Sequence, residues 1–207
     1  MQNNELVFTI PFIKTNHIPE GFCDTKQELS DFDLLGSFLR RDTIEGDKTL
    51  QQLVSFIIVR NPIKKKFFIG KRISGEERLL NCWSGFGGHT DVIDCCLNTI
   101  SIIESCAKRE LEEELSFNLY KKDTLSTAFN YIGTVRDTMS KTGDHLGFVF
   151  LLDVKSCSVK ETDKIEGKWF SYHDILMKFS MLDNWTQYVI EYLYKTTDLK
   201  EYLKQKS

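Results

Sequence analysis

One stretch of the sequence constrains the fold more than any other, because its apolar residues recur at helical spacing. They stand three or four positions apart, which places them on one face of an α-helix that we predict over residues 98–115. These residues are Ile100, Ile103, Ala107, Leu111 and Leu115. A helix with one apolar face packs against another layer of structure, so the rest of the chain must supply that layer.

The end of this helix is strongly acidic. Glu113 lies about 60° to one side of Glu110, and Glu114 lies about 40° to the other, so three carboxylates share a narrow face. Like charges at this spacing repel by a few tenths of a kcal/mol per pair, and the helix dipole disfavours them in the last turn. A divalent cation such as Mg²⁺ would relieve this cost, whereas a solvated acidic helix face is the alternative interpretation.

Three glycines precede the helix. Gly85, Gly87 and Gly88 provide backbone that can turn tightly and approach a ligand closely. The segment is not a P-loop, since no Gly-Lys-Ser/Thr follows it. It is not a dinucleotide fingerprint either, because the helix does not begin directly after it.

The remaining pattern predicts an α/β fold with a mixed β-sheet sandwiched between helices, since strands and helices alternate irregularly. A β-branched run and a second apolar run flank the basic turn 62–66, and we predict a hairpin there. The predicted strands are 5–12, 53–60, 67–72, 128–136, 146–154 and 169–170, and the further helices are 31–41, capped by Ser30, and 182–203.

Composition excludes several classes of protein. Of the 207 residues, 27 are basic and 30 acidic, so the net charge of −3 gives no electrostatic reason to expect a nucleic-acid partner. No apolar run approaches the roughly 18 residues of a membrane span, and the N-terminus lacks a secretory signal. The six cysteines form no C-x-x-C pair, which favours reduced thiols over a disulfide framework. We expect a cytoplasmic protein.

The glycines and the acidic helix together resemble the Nudix box, G-x5-E-x7-R-E-U-x-E-E-x-G-U, where U is a bulky aliphatic residue. The matching positions are Gly88, Arg109, Glu110, Leu111, Glu113, Glu114 and Phe117. Three features depart from the pattern. Asp94 stands in place of the first glutamate, 14 residues separate it from Arg109 where the pattern has 7, and Ser116 replaces the last glycine. Glu104 is a weak substitute for the missing glutamate. The resemblance covers about residues 50–175.

The resemblance implies a Nudix fold and a metal-dependent hydrolase. Residues 51–207 would form the Nudix hydrolase domain, and residues 1–50 an N-terminal extension packed on it. The family cleaves phosphoanhydride bonds in nucleoside diphosphates linked to another moiety, with Mg²⁺ or Mn²⁺. The implied metal ligands are Gly87, Glu110, Glu113 and Glu114, and the implied catalytic residues are Arg109, Glu110, Glu113 and Glu114. Arg109 would orient the glutamates.

Further candidates surround this core. The candidate substrate contacts are His89, His145, Glu161, Asp163 and Glu166, of which the three acids are also candidate general bases; structural histidines and solvated loop charges are the alternatives. We expect a small nucleotide-type diphosphate as partner, and no membrane; a homodimer stays open. Two other functions remain. One is a non-catalytic Nudix-fold module that senses or binds nucleotides, and the other is an enzyme similar to isopentenyl-diphosphate isomerase, prompted by Cys82.

Overall fold

The computed structural model describes residues 5–24, 36–74, 80–96, 98–121, 123–141 and 143–196. The strands are β1 Leu6–Pro11, β2 Gly21–Cys23, β3 Ser37–Arg40, β4 Leu50–Asn61, β5 Lys66–Arg72, β6 Trp83–Ser84, β7 Leu115–Asn118, β8 Phe129–Arg136, β9 His145–Asp153, β10 Ser156–Val159 and β11 Ile165–Ser171. The helices are α1 Phe12–Thr15, α2 Arg41–Ile44, α3 Thr99–Glu114, α4 Leu125–Ala128, α5 Tyr172–Met177 and α6 Asn184–Thr196.

A mixed sheet in the strand order β11-β5-β4-β9-β8-β2 forms the centre of the fold. Its longest strand, β4, runs parallel to β9 and antiparallel to β5. Residues 53–59 of β4 are buried without interruption, as expected for a strand covered on both faces. The predicted hairpin is confirmed, because β4 and β5 pair antiparallel on either side of the basic turn.

Helices cover both faces of this sheet. On one face α3 buries Ile103, Ala107 and Leu111 in a cluster that includes Leu53 of β4. On the other face α6 buries Trp185 and Val189 together with alternate β4 residues. The prediction of a mixed sheet between helices is therefore confirmed.

Helix α3 begins and ends where its local sequence allows. The side chain of Asn98 accepts a hydrogen bond from Ser101 N at 2.9 Å and caps the first turn. At the other end Leu115 takes an extended backbone and begins β7, which pairs with β10. The helix thus passes directly into a strand and needs no residue in the left-handed region, which is why Ser116 can stand where the Nudix pattern has glycine.

The first fifty residues contribute strands to the central sheet. β1 pairs with β4 through Thr9–Pro11, and β2 pairs with β8. These pairings join the segment to the sheet, and the boundary at residue 50 stays a prediction.

Of the two further predicted helices, one is wrong in its described part and the other is confirmed. Over 31–41 the helix prediction is wrong for the described part, since β3 covers Ser37–Arg40 and pairs with β1. The strand lets the Phe38 ring contact Phe8 at 5.0 Å between centroids. Residues 31–35 lie outside the described residues. The C-terminal helix is confirmed over Asn184–Thr196, and 197–203 also lie outside them.

The strand predictions at 5–12, 128–136 and 146–154 are confirmed by β1, β8 and β9. The strand predicted at 169–170 is longer than expected, because β11 pairs with β5 over seven residues. None of the helices in the described ranges has the length and apolar character that crossing a membrane requires.

Candidate active site

The glycine segment lies along β4 and close to helix α3. Ser55 N donates to Gly88 O at 2.9 Å, which fixes the segment on the strand. Gly87 has a φ of +120°, and a Cβ there would meet Ser55 O at 2.2 Å. A Cβ on Gly88 would meet the Glu110 carboxylate at 2.5 Å. Glycine is therefore needed at Gly87 for the backbone and at Gly88 for the approach of Glu110.

Glu114 is the most buried of the three helix glutamates. Its Oε2 accepts a hydrogen bond from Gly87 N at 3.0 Å, and its Oε1 lies 3.7 Å from Arg72 Nη2. Burial raises the pKa of Glu114 to about 7, although the bond from Gly87 opposes the shift. A carboxylate held in this way gains from a cation that replaces its lost hydration.

Arg109 holds the other two glutamates. Its Nη1 donates to Glu110 Oε1 at 2.7 Å and to Glu113 Oε2 at 3.3 Å, and its Nη2 donates to His89 O at 3.0 Å. Burial raises the pKa of Glu110, and the neighbouring Arg109 limits the rise. The guanidinium is thus in contact with the helix carboxylates and with the glycine segment at once.

Asp94 completes the environment of Arg109. It accepts from Arg109 Nε at 3.0 Å and from Nη2 at 2.9 Å, and its side chain is only 2% exposed. A 3-10 turn over Val92–Asp94 places it there, and Asp94 also accepts from Asp91 N at 2.9 Å. The enlarged loop therefore still brings a carboxylate to the arginine. Glu104 is exposed and makes no such contact in the described structure.

The three glutamates do not share a single hydrogen-bond partner. Glu110 and Glu113 accept from Arg109, while Glu114 accepts from Gly87. The atoms that these side chains can offer to a metal are all carboxylate oxygens, the type of ligand that Mg²⁺ and Mn²⁺ prefer. By chemistry this donor set suits a hard divalent cation. In the described structure the ligating oxygens of Glu110, Glu113 and Glu114 are not all within 4.8 Å of one another, so the side chains would have to draw together around an ion.

A cavity of about 650 Å³ borders the glycine segment. Glu114 lines it, together with cations from three separate parts of the chain, Arg41, Arg72 and Lys141. Its apolar lining includes Phe56 and Trp185, whose rings meet edge to face at 5.6 Å. Positive charges beside an aromatic wall suit a ligand that has both phosphate groups and a ring.

The two predicted histidines come together at this cavity. His89 and His145 both line it, and their Nε2 atoms lie 2.9 Å apart. The Nδ1 of His145 bonds Asp144 Oδ1 at 2.7 Å. This pairing joins two sequence candidates that are 56 positions apart, and Asp144 is a member that the sequence analysis missed.

The three loop acids are less closely associated with the site. The charge of Glu161 contributes to the raised pKa of Glu114. It is the smallest of the causes, and burial is the largest. Glu161 itself pairs with Lys164 at 2.6 Å. Asp163 and Glu166 are exposed and are not part of the cavity lining.

Two cysteines lie near the site. Cys106 of α3 is buried against Ser55 Oγ, His89 O and Gly88 O, and burial raises its pKa to about 12. A thiol with that pKa stays protonated and is a poor nucleophile. Cys82 is half-buried and lines the cavity.

Comparison with known proteins tests the fold. The crystal structure of Tm1382, provisionally named a Nudix hydrolase, matches with a TM-score of 0.76 at 23% identity, over 93% of this chain and 100% of that one. The chain has the Nudix fold. Residues that resemble the Nudix box therefore lie in a fold of the Nudix type, with the glycines beside the acidic end of α3. No family model matches this Nudix-fold chain.

Other matches are more distant or less informative. A bifunctional NMN adenylyltransferase/ADP ribose pyrophosphatase from Francisella tularensis matches at 17% identity with a TM-score of 0.54, over 70% of this chain and 41% of that one. The Nudix domain of Shewanella oneidensis NrtR, complexed with ADP ribose, matches at 18% identity with a TM-score of 0.50, over 74% and 88%. Protein YmaB of Bacillus subtilis (strain 168) is 29% identical over 164 residues, 75% of this chain and 77% of that protein.

Proposed function

We propose that this Nudix-fold chain is a divalent-metal-dependent pyrophosphohydrolase. Its substrate would be a nucleoside diphosphate linked to another moiety, cleaved at the phosphoanhydride bond. The observation that carries the proposal is the position of Glu114, a buried carboxylate that bonds Gly87 N and lines the cavity. Its ion pair with Arg72 is long, at 3.7 Å, so a metal ion would further offset the cost of burying its charge.

The metal would be Mg²⁺ or Mn²⁺, held by Glu110, Glu113 and Glu114 with the carbonyl of Gly87. When bound, it would neutralise diphosphate oxygens and lower the pKa of a water. Arg109 positions the glutamates through the contacts described above rather than by touching substrate.

The cavity lining supports a substrate with phosphate groups and a ring. Arg41, Arg72 and Lys141 would contact phosphate oxygens, and Trp185 provides an apolar surface for a base or another ring. His89 and His145 remain candidates for contacts with the ligand. The loop acids Glu161, Asp163 and Glu166 remain candidate general bases.

Two structures with the same fold are consistent with this ligand class. The Francisella tularensis protein was also crystallised with AMP and a manganese ion, and the NrtR domain with ADP ribose. Both share fewer than one residue in five with this chain, so they support the proposal through fold alone.

A substrate panel tests the function. We would incubate the full chain with nucleotide-sugars, dinucleotides and nucleoside triphosphates, with Mg²⁺ or Mn²⁺, and measure release of mononucleotide. The proposal expects metal-dependent release from at least one diphosphate-linked compound. Binding of a nucleotide without turnover of any compound would instead support the second candidate, a non-catalytic sensing module. That candidate is favoured by Asp94 in place of glutamate and by the enlarged loop that follows it.

The isomerase alternative has less support. It needs a reactive cysteine at the site, and the buried Cys106 thiol is unreactive at neutral pH because its pKa is about 12. Cys82 lines the cavity, so Cys82→Ser is the variant that would test this alternative.

A further inference from the structure

A second cluster of possible metal ligands is formed by residues other than the helix glutamates. In the described part of the chain, Glu45, Asp144 and His145 are the group in which three metal-ligating atoms lie within 4.8 Å of one another. His89 adds a further nitrogen, because its Nε2 faces the Nε2 of His145 at 2.9 Å. The cluster draws on three separate segments of sequence.

Hydrogen bonding determines which nitrogen of His145 is available. Asp144 Oδ1 bonds Nδ1 of His145 at 2.7 Å, and both side chains are 3% exposed. Nδ1 of His145 is therefore the nitrogen that meets the Asp144 carboxylate, and Nε2 is the nitrogen that meets His89, at 2.9 Å.

This arrangement is the one that metal-binding histidines use. A ligating imidazole usually donates its other N–H to a carboxylate, which fixes the tautomer and raises its basicity. Two nitrogens bound to one tetrahedral ion at about 2.05 Å lie roughly 3.3 Å apart. The two Nε2 atoms are hydrogen-bonded to each other at 2.9 Å, so they would bind one ion after losing the shared hydrogen and separating by about 0.4 Å.

The surroundings also favour a cation. Glu45 and Asp144 are acidic. Arg41 forms ion pairs with both Glu45, at 3.4 Å, and Glu5, at 3.0 Å. Gln52 is 1% exposed and donates from Nε2 to Asp144 Oδ2 at 3.0 Å. Its Oε1 has no hydrogen-bond partner among the described residues, so a buried acceptor remains for a ligand or its water.

We propose that His89 and His145 form a second metal site, for a transition ion that prefers imidazole nitrogen, such as Zn²⁺ or Ni²⁺. Asp144 is its positioning residue, and Glu45 is an additional carboxylate within 4.8 Å of ligating atoms of Asp144 and His145. Both histidines line the cavity, so an ion held by them would be accessible from it. The site is separate in chemistry from the oxygen ligands of α3, which suit Mg²⁺ and Mn²⁺.

Calorimetry on the full chain tests the proposal. Zn²⁺ is titrated in saturating Mg²⁺, in a Cys95→Ser/Cys96→Ser background, because these exposed thiols can bind Zn²⁺ themselves. We expect one equivalent of Zn²⁺ to bind, with affinity at least about 100-fold weaker in His145→Gln, and about 10- to 100-fold weaker in Asp144→Asn. Unchanged affinity in His145→Gln overturns the proposal.

The chain provides matched controls. His17 and His173 are its other two histidines, and both are exposed. His17→Gln and His173→Gln should leave the Zn²⁺ equivalent in place, and an equal loss in either would overturn the assignment. His89→Gln should behave like His145→Gln.

X-ray absorption at the zinc edge needs no variant and covers the case in which a variant fails to fold. The Zn²⁺-loaded background protein should show imidazole scattering, whereas a shell of oxygen or sulfur alone overturns the proposal. Inorganic phosphate, titrated without metal, tests the other ligand class. Phosphate binding that depends on His145 would assign an anion site there and overturn the metal site.

Discussion

Arg109 donates two hydrogen bonds to the carboxylate of Asp94, from Nε at 3.0 Å and from Nη2 at 2.9 Å, across 15 positions of the chain. The remaining nitrogen, Nη1, then points to Glu110 at 2.7 Å. Asp94 therefore fixes the plane of the guanidinium and, through it, the position of a proposed metal ligand. This relationship leads to the first of four predictions.

Replacing Asp94 should destabilise the fold. Asp94→Ala leaves Arg109 without its bidentate partner in a mostly buried place, and we expect a loss of about 3 kcal/mol in the free energy of unfolding, measured in urea. Asp153→Ala is the matched control, since Asp153 bonds Arg60 at 2.8 Å but is 30% exposed. That loss should be about 1 kcal/mol or less. Equal losses of unfolding free energy in the two variants would mean that burial of the Arg109–Asp94 pair does not increase its contribution to stability.

Glu113→Gln should reduce the rate of hydrolysis by at least about 100-fold, because it removes a charged metal ligand. The side chain is 54% exposed, so the melting temperature should change little. Glu112→Gln, at the neighbouring exposed position, is the control and should retain full activity. Comparable rates in the two variants would exclude Glu113 from the metal site.

Alanine at the two adjacent glycines should have different effects. In Gly88→Ala the new methyl meets the end of the flexible Glu110 side chain, so the fold should survive while metal affinity falls about 10-fold or more. In Gly87→Ala it meets Ser55 O at 2.2 Å with φ at +120°, and the fold itself should lose stability. Thermal melting and metal titration of both variants separate these outcomes.

The stability of the metal-free protein should depend on Glu114 and on pH. Its folded-state pKa of about 7 lies above the ordinary 4.5, so the charged form is disfavoured by folding. This cost is absent below about pH 4.5, grows as pH rises, and is complete above about pH 7. In EDTA at pH 8, Glu114→Gln should be more stable than wild type by about 1–3 kcal/mol.

The stability difference between wild type and Glu114→Gln should disappear at low pH and shift in favour of wild type when Mg²⁺ is added. Below pH 4.5 the two proteins should unfold alike, because Glu114 is then protonated in both states. With excess Mg²⁺ at pH 8 wild type should gain more stability than Glu114→Gln, since bound metal stabilises only the form that holds it. A variant that is less stable than wild type in EDTA at pH 8 would contradict the assigned environment of Glu114.

The local features of this chain were predictable from sequence. The spacing of its apolar residues predicts helix α3, and the positions of the glutamates along the helix predict that they share one face. The helix prediction was wrong over Ser37–Arg40 because Phe38 and Leu39 fit a short helix or a strand equally well. Pairing with β1, which is remote in sequence, decides between them.

The site beyond the helix depends on contacts that no spacing reveals. His145 meets His89 because β4 and β9 pair in a register that sets Gln52 opposite His145, with the glycine segment alongside β4. Asp94 is a partial exception. Its position in the Nudix-box pattern identifies it as a candidate for the missing glutamate. Only the 3-10 turn explains how its shorter side chain reaches Arg109.

Residues from the first fifty also reach the cavity. Arg41 lines it, and Gly46 N donates to Asp144 Oδ2 at 2.8 Å. In the proposed enzyme, the acidic helix would hold the metal while the first fifty residues would take part in ligand choice. Exchanging the leading strands between two such proteins would then shift the preference for one compound over another and leave the type of reaction unchanged.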